Sequence, residues 1–217
     1  MSCVVVFGRE PLPGAVKTRL AAGVGEEVAA LVYRELLGHT LGVARSVGAD
    51  VVLALAEPPR CGFRPPLEVA VEVQATGDLG RRMACAFERR FSEGYRRVVL
   101  IGSDCPRLGT VHLEGALAML DEAPVALGPA ADGGYWLIGL REPVAELFEG
   151  IAWSTPGVLA QTRERLHALN LDWRELETLS DLDTGGDLER LLGGSTSSEM
   201  VWRLRAVVDS VDTGGGV

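Results

Sequence analysis

Strand-like and helix-like segments alternate along almost the whole chain, and this order constrains the fold more than any other feature of the sequence. Short runs rich in β-branched residues are typical of strands, whereas the segments between them carry apolar residues at helical spacing. The strand-like runs are residues 3–7, 50–56, 68–74, 97–101, 124–127 and 135–140. The main helix-like segments are 26–47, 78–91, 111–120 and 158–169, with Thr155 as the expected N-cap of the last and Pro156 as its first residue.

This order predicts an α/β fold with a mainly parallel sheet, because strands joined by helices pair through right-handed crossovers and helices then cover both faces. In such sheets, ligands bind beyond the carboxyl ends of the strands, so functional residues should follow strand-like runs. The 217 residues suffice for one domain with a substantial core. We predict that domain over residues 1–193. The remainder, 194–217, is predicted to be an extension with a short helix at 199–208 and a mobile tail.

The charge and the cysteines limit the partners and the compartment. The net charge is −9, from 21 basic and 30 acidic residues, whereas a nucleic-acid or anionic-membrane binder needs a basic surface. No apolar run approaches the ~20 residues that cross a bilayer, and the N-terminus lacks the basic start of a signal peptide. Cys3, Cys61, Cys85 and Cys105 have no metal-ligand spacing, which favours reduced thiols and a cytoplasmic location.

The first candidate site follows the first strand, in the segment FGREPLPGAVKTRL (residues 7–20). Its glycines, Gly8 and Gly14, would let backbone amides approach phosphate oxygens, which Lys17 and Arg19 could neutralise. A Walker A loop is excluded, since it has four residues between its glycines and a lysine directly after the second. Here five residues separate the glycines, and Lys17 comes three positions later. A surface turn with incidental basic residues is the alternative.

The second candidate is Asp104, which follows the buried run RVVLI and the pair Gly102-Ser103. A carboxylate at a strand end is suited to Mg²⁺ or Mn²⁺, which takes one or two protein oxygens together with phosphate oxygens and water. The alternative is that Asp104 caps the helix-like segment 111–120, although several residues separate them.

A third candidate is Asp132, in the glycine-rich segment GPAADGGYW (residues 128–136) after another strand. Asp-Gly is also an ordinary hairpin turn. The neighbouring rings of Tyr135 and Trp136 could pack on a sugar or a base, or could belong to the core.

A fourth candidate is QATGDLG (residues 74–80), which follows a strand and opens a helix-like segment. The side-chain amide of Gln74 could read the edge of a nucleobase. Thr76 or Asp78 could instead cap the helix, and both interpretations can hold together.

A fifth candidate is SDLDTGGD (residues 180–187), which precedes the helix-like run 188–192. Its acids, among them Asp181 and Asp183, could ligate a metal or could interact favourably with the helix dipole as N-cap residues.

Taken in order, these segments resemble the DUF2064 family of bacterial GT-A-fold proteins, described as glycosyltransferase-like or as rSAM/selenodomain-associated transferases. The resemblance spans residues 3–192. It rests on FGREPLPGAVKTRL, GDLGRRM, IGSDCP, LGPAADGGYWLIGL, IAWST and SDLDTGGDL. It implies a Rossmann-like three-layer α/β/α sandwich with a mixed, mainly parallel sheet, which is the nucleotide-diphospho-sugar transferase fold.

The resemblance also implies roles for individual residues. The expected nucleotide-binding residues are Phe7, Gly8, Gly14, Lys17, Arg19, Gln74, Gly77, Gly80 and Ser103. A Mg²⁺ or Mn²⁺ ion would bind Asp104, with Asp183 or Asp181 as its second ligand. The expected substrate-binding residues are Gly133, Gly134, Tyr135 and Trp153. The expected catalytic residues are Lys17, Arg19 and Asp132, the last on the acceptor side or as an alternative metal ligand.

The reaction is less constrained than the site. Many GT-A glycosyltransferases carry Asp-x-Asp at this strand end, whereas this chain reads Gly102-Ser103-Asp104, and a single acid there resembles sugar nucleotidyltransferases. The first expectation is metal-dependent glycosyl transfer from a nucleotide-sugar to a small acceptor. The second is nucleotidyl transfer from an NTP to a phosphorylated small molecule, with release of pyrophosphate. The third is a non-catalytic protein that binds a nucleotide-sugar.

Overall fold

The computed structural model describes residues 1–60, 63–194 and 198–212, so Cys61 and the predicted tail beyond 212 lie outside the described residues. The strands of the described part are β1 (Ser2–Gly8), β2 (Asp50–Leu55), β3 (Ala70–Val73), β4 (Arg97–Ile101), β5 (Val125–Pro129), β6 (Tyr135–Leu140) and β7 (Trp173–Glu175). The helices are α1 (Thr18–Val24), α2 (Glu26–Arg45), α3 (Leu79–Ser92), α4 (Thr110–Glu122), α5 (Val158–Ala168), α6 (Gly185–Gly193), α7 (Glu199–Asp212) and a 3₁₀ turn at Ala145–Phe148.

The strands form one mixed sheet in the order β3-β2-β1-β4-β6-β5-β7. Strand β6 is antiparallel to its neighbours β4 and β5, and the other pairs are parallel. The antiparallel pair arises because only residues 130–134 join β5 to β6, a connection too short for a parallel crossover. The prediction of a mixed, mainly parallel sheet is confirmed.

Helices cover both faces of the sheet, so the predicted three-layer sandwich is also confirmed. Successive strand residues point to opposite faces. Val4 and Val6 of β1 therefore belong to a core that includes residues of α2 and α4. Val5, between them, belongs to a second core that includes residues of α3 and α5. Among the described residues, none of the helices combines the length and apolar character of a bilayer span.

A third apolar cluster lies on the far side of α2 and brings in the C-terminal extension. Val32 and Leu36 of α2 pack there with Leu20 of α1, Leu188 of α6 and Leu204 of α7. The helix predicted at 199–208 exists and runs further, to Asp212. The domain division at residue 193 stays a prediction.

The expected start of α5 is wrong by two residues, since the helix is capped by the main chain of Gly157 and not by Thr155. The hydroxyl of Thr155 instead donates to Ala152 O at 2.7 Å, within the preceding turn. Two short elements, α1 and β7, were not predicted, because seven and three residues carry too little periodic pattern.

The order of the strands determines where the loops meet. Strand β1 lies between β2 and β4: the chain continues from β1 to β2 on one side, and after β3 it returns to β4 on the other side. The register pairs Val6 with Ile101, which sets the loop after Gly8 beside Ser103 and Asp104. Such a switch point is where open α/β sheets form their ligand crevice.

Candidate active site

Lys17 lies between two carboxylates that come from distant parts of the chain. Its Nζ donates to Asp183 Oδ1 at 2.7 Å and lies 2.9 Å from Asp104 Oδ1. The side chain of Lys17 is only 6% exposed, whereas each aspartate side chain is 40% exposed. Three of the predicted site residues are thus brought to one point at the carboxyl ends of β1 and β4.

The local backbone explains how Lys17 reaches this position. Lys17 is the N-cap of α1 and has a left-handed conformation with φ +48°. A non-glycine residue in this region is uncommon and is held there by its surroundings. Arg19 is the second residue of the same helix. Its Nη1 lies 3.9 Å from Asp183 Oδ2, and its side chain is 74% exposed.

The ammonium of Lys17 is stabilised by its two acids. Burial by itself would lower the pKa of Lys17, but the charges of Asp104 and Asp183 outweigh burial and raise it. Lys17 therefore stays charged at neutral pH and neutralises part of an acidic cluster.

Main-chain hydrogen bonds hold the loops of this cluster together. Leu182 N donates to Asp104 O at 2.9 Å, which fixes the loop before α6 against the end of β4. Ala131 N donates to Leu179 O at 2.9 Å, which joins the β5–β6 hairpin to the same segment. Because Leu182 is also buried in the third apolar cluster, Asp183 is positioned by packing as well as by hydrogen bonds.

The acids of the segment 180–187 lie in three different environments. Thr184 is the N-cap of α6, and Asp187 completes a capping box, since its Oδ2 accepts from the backbone N–H groups of Asp183 and Thr184. Asp183 faces Lys17 instead. Asp181 accepts from the thiol of Cys105 at 3.1 Å, and burial raises the pKa of Asp181 to about 6. Burial also raises the pKa of the Cys105 thiol, so Cys105 is a protonated donor here.

Comparisons with known proteins show the family and the fold of the chain. The sequence model of DUF2064, described as an uncharacterized protein conserved in bacteria, matches residues 40–155. A crystal structure from Desulfovibrio desulfuricans G20, named as a candidate nucleotide-diphospho-sugar transferase, shares 33% identity with the chain and superposes with a TM-score of 0.87. That match covers 96% of this chain and 97% of the other. The chain belongs to the DUF2064 family.

More distant structures share the fold with this DUF2064 protein. The manganese complex of Rv0371C from Mycobacterium tuberculosis H37Rv has 22% identity and a TM-score of 0.53, covering 89% and 98% of the two chains. The inositol-1-phosphate CTP transferase from T. maritima has 14% identity and a TM-score of 0.52, covering 95% and 96%. No curated protein matches the chain significantly.

The DUF2064 protein has two carboxylates of the kind that bind divalent cations, those of Asp104 and Asp183, and the ammonium of Lys17 lies between them. Asp104 Oδ1 is buried and lacks a hydrogen-bond partner among the described residues, since its contact with Lys17 falls outside hydrogen-bond geometry. No group of three or more potential metal ligands occurs within the described part of the chain. A cation such as Mg²⁺ needs only one or two carboxylates when phosphates and waters complete its shell. The pair Asp104 and Asp183 fits that requirement once Lys17 moves aside.

Tyr33 on α2 is a site residue that the sequence analysis missed. Its hydroxyl accepts from Arg9 N at 2.9 Å and lies 2.9 Å from Ser103 Oγ, so it joins the loops after β1 and β4. Gly8 allows this approach, because a Cβ there would lie 3.4 Å from the hydroxyl and 3.2 Å from a methyl of Leu53. The available signal in the sequence was a phenolic hydroxyl on the core face of α2.

Two other residues predicted to bind the nucleotide are packed in the protein. Ser103, which follows β4, is buried beside Tyr33, and Phe7 of β1 packs against the second core, so their roles in nucleotide binding stay predictions. Gly14 has φ +74°, with its Cβ direction toward the carboxylate of Glu26. Glu10, also missed, is buried and accepts from the backbone N–H of Phe63 across the loop after β2.

The predicted base-reading segment follows β3, which is separated from β1 by β2 in the sheet. Gln74 Nε2 donates to Ala54 O at 2.8 Å, and its Oε1 accepts from Arg82 at 3.3 Å. Asp78 caps α3, as the alternative interpretation predicted. Gly77 has φ +120°, and Gly80 is required by packing, since a Cβ there would lie 2.5 Å from the indole of Trp153.

The β5–β6 hairpin presents Asp132 to solvent at the same edge. Its Oδ1 accepts from Gly134 N at 2.9 Å in a local turn. Gly133 has φ +90° and packs directly on the main chain of Pro156. The hydroxyl of Tyr135 donates to Met83 Sδ inside the second core. The role of Tyr135 in substrate binding stays a prediction, as do those of Gly133, Gly134 and Trp153.

Proposed function

We propose that this transferase binds a nucleotide-sugar together with Mg²⁺ or Mn²⁺ and transfers the sugar to a small acceptor. One observation carries the proposal. Lys17 Nζ, Asp104 and Asp183 meet at the carboxyl ends of β1 and β4, where a cation and a polyphosphate can be held side by side. The relative from Desulfovibrio desulfuricans G20, at 33% identity, supports the nucleotide-diphospho-sugar class.

The proposed ligand set follows from charge. Asp104 and Asp183 would hold the cation, and the backbone of the loop 8–16 would face the diphosphate with Lys17 and Arg19 as its counter-charges. The metal, when bound, would neutralise negative charge on the departing diphosphate. Gln74 would lie on the base side, two strands away.

In glycosyl transfer, an acceptor oxygen forms a bond to the anomeric carbon as the bond from that carbon to the diphosphate oxygen breaks. The electron pair leaves with the nucleoside diphosphate, whose charge Lys17 and Arg19 share. Asp132, which is exposed and uses only Oδ1 in its turn, would take the proton of the acceptor.

Nucleotidyl transfer is the second candidate, because Gly102 stands where many GT-A glycosyltransferases have their first acid. In this reaction a phosphate oxygen of the acceptor forms a bond to the α-phosphorus. The bond from the α-phosphorus to the bridging oxygen breaks, and its electron pair leaves with pyrophosphate.

Thermal denaturation with a panel of nucleotides separates the two reactions, since a ligand that binds only the folded state raises its stability. We expect a nucleoside diphosphate-sugar with Mg²⁺ or Mn²⁺ to raise the Tm of the wild type. Asp104→Asn should abolish the metal-dependent part of that shift. The matched control is Asp172→Asn, which removes an exposed carboxylate from the loop before β7.

Three outcomes have distinct meanings. Stabilisation by nucleotide-sugars and not by NTPs supports glycosyl transfer. Stabilisation by NTPs and not by nucleotide-sugars contradicts it and supports nucleotidyl transfer. An unchanged Tm with every nucleotide would exclude both reactions.

A further inference from the structure

A large groove opens beside the acid cluster. Its volume is about 1250 Å³, and α2, the loop 106–110, the segment 180–184 and α7 line it. Arg19, Asp132 and Asp183 lie along the same groove. The groove is therefore continuous with the proposed reaction centre.

The sequence of α2 leaves this groove open. Gly38 and Gly42 are exposed one helical turn apart, and a Cβ at either position would meet no described atom within 4 Å. Between them, His39 Nε2 lies 2.8 Å from Leu108 O and holds the loop 106–110 against the helix. The width of the groove thus comes from two missing side chains and one fixed loop.

Arg107 supplies an available positive charge in this groove. It is exposed, and the part of the chain that the structure describes offers it no ion pair. Two other arginines of the groove are already paired. Arg190 contacts Asp187, and Arg203 lies 2.6 Å from Glu199 and 3.8 Å from Glu35. In a chain of net charge −9, an unpaired guanidinium next to the reaction centre is suited to an anionic ligand.

We propose that this groove receives the acceptor, and that the acceptor is a small molecule whose phosphate or carboxylate group binds Arg107. The planar guanidinium can bind either anion through two parallel hydrogen bonds. Beside Asp132 and Asp183, the groove then orients the rest of the acceptor toward the donor. This inference rests on the proposed function, since it assigns the second substrate of the same centre.

The test is a titration of the ¹⁵N-labelled full chain, followed by amide chemical shifts. The probes are glycerol 3-phosphate, glycerate and neutral glycerol, which share a carbon skeleton and differ in charge. We expect one or both anions, and not glycerol, to shift the amides of Gly38, Gly42 and Arg107. Whichever anion binds more tightly shows whether the acceptor carries a phosphate or a carboxylate group.

Variants locate the site. Arg107→Gln removes the charge, and Gly42→Leu adds a side chain to the groove from a Cβ position with no described atom within 4 Å. Each should weaken anion binding at least about tenfold. The matched control is Arg96→Gln, because Arg96 is exposed and unpaired within the described residues but precedes β4, at the opposite edge of the sheet. This control should bind the anion like the wild type.

The inference is overturned if neither anion shifts the groove amides, or if Arg107→Gln binds as tightly as the wild type. A nucleotide with Mg²⁺, added to the same samples, should shift the amides of residues 8–19 in the wild type and in every variant. Loss of that second response would contradict the proposed function, so the two failures are distinguishable.

Discussion

Lys17 Nζ lies 2.7 Å from Asp183 Oδ1, although 166 residues separate the two in sequence. The same ammonium lies 2.9 Å from Asp104 Oδ1. A buried lysine therefore occupies the space between the two carboxylates that we propose as metal ligands. We therefore expect metal binding and the position of Lys17 to be coupled, because a cation on the two Oδ1 atoms would compete with the ammonium that contacts them.

Lys17→Met is expected to tighten Mn²⁺ binding in the absence of nucleotide by about tenfold or more, since a neutral side chain neither competes with nor repels the ion. The metal-free variant should also lose stability, because two acids lose their shared counter-charge. Calorimetric titration with Mn²⁺ measures the first effect, and thermal denaturation in EDTA measures the second. Arg19→Gln, which removes a charge 3.9 Å away, is the control. Equal Mn²⁺ affinity in wild type and Lys17→Met would contradict the coupling.

Asp181→Asn is expected to stabilise the metal-free protein at pH 7.5. Burial raises the pKa of Asp181 from 3.8 to about 6; the hydrogen bond from Cys105 opposes this, and the charge of Asp104 adds to it. Between these pH values the folded chain retains a proton that the unfolded chain has released, so the free energy of unfolding falls as pH rises. The gain on substitution should reach at most about 3 kcal/mol above pH 6 and disappear below pH 4. Urea denaturation across this range measures it. A variant less stable than the wild type at pH 7.5 would show that burial of the ionised Asp181 carboxylate does not destabilise the fold.

Tyr33→Phe should destabilise the fold by about 1–3 kcal/mol, because the buried Ser103 hydroxyl and the N–H of Arg9 both lose their partner. Ser103→Ala removes one of these contacts. A double-mutant cycle from urea denaturation should therefore give a non-additive sum. The two variants should also weaken nucleotide binding, since the loops after β1 and β4 lose their link. Additive stabilities would show that the two hydroxyls do not interact.

Gly133→Ala should destabilise the fold by about 3 kcal/mol or more, since the new Cβ would lie 2.1 Å from the carbonyl oxygen of Pro156 at φ +90°. Gly150→Ala is the matched control, because Gly150 has φ +70° but no described atom within 4 Å of its Cβ position. The control should lose only about 1 kcal/mol, the cost of the left-handed conformation. Equal losses of stability in Gly133→Ala and Gly150→Ala would show that the segment 152–157 moves at little cost to make room for the new Cβ.

Much of the fold could be predicted, because strands and helices of ordinary length carry periodic patterns. Six of the strands followed from short β-branched runs, and their alternation with helices predicted a layered, mainly parallel sheet. The position of β6 between β4 and β5 could not be predicted from these patterns, since strand pairing depends on which apolar faces pack together. Elements as short as β7 and α1 also escaped, because so few residues show no period.

The sequence by itself determined which residues could do chemistry, since Lys17, Asp104, Asp132 and the acids at 181–187 all follow strands or precede helices. Only the tertiary structure decided which partner each of these side chains contacts. Asp187 joined Thr184 in the capping box of α6, whereas Asp183 became the partner of Lys17, because the hydrogen bond from Leu182 N to Asp104 O fixes one loop against another. Such contacts join positions far apart in the chain, so local pattern carries no record of them.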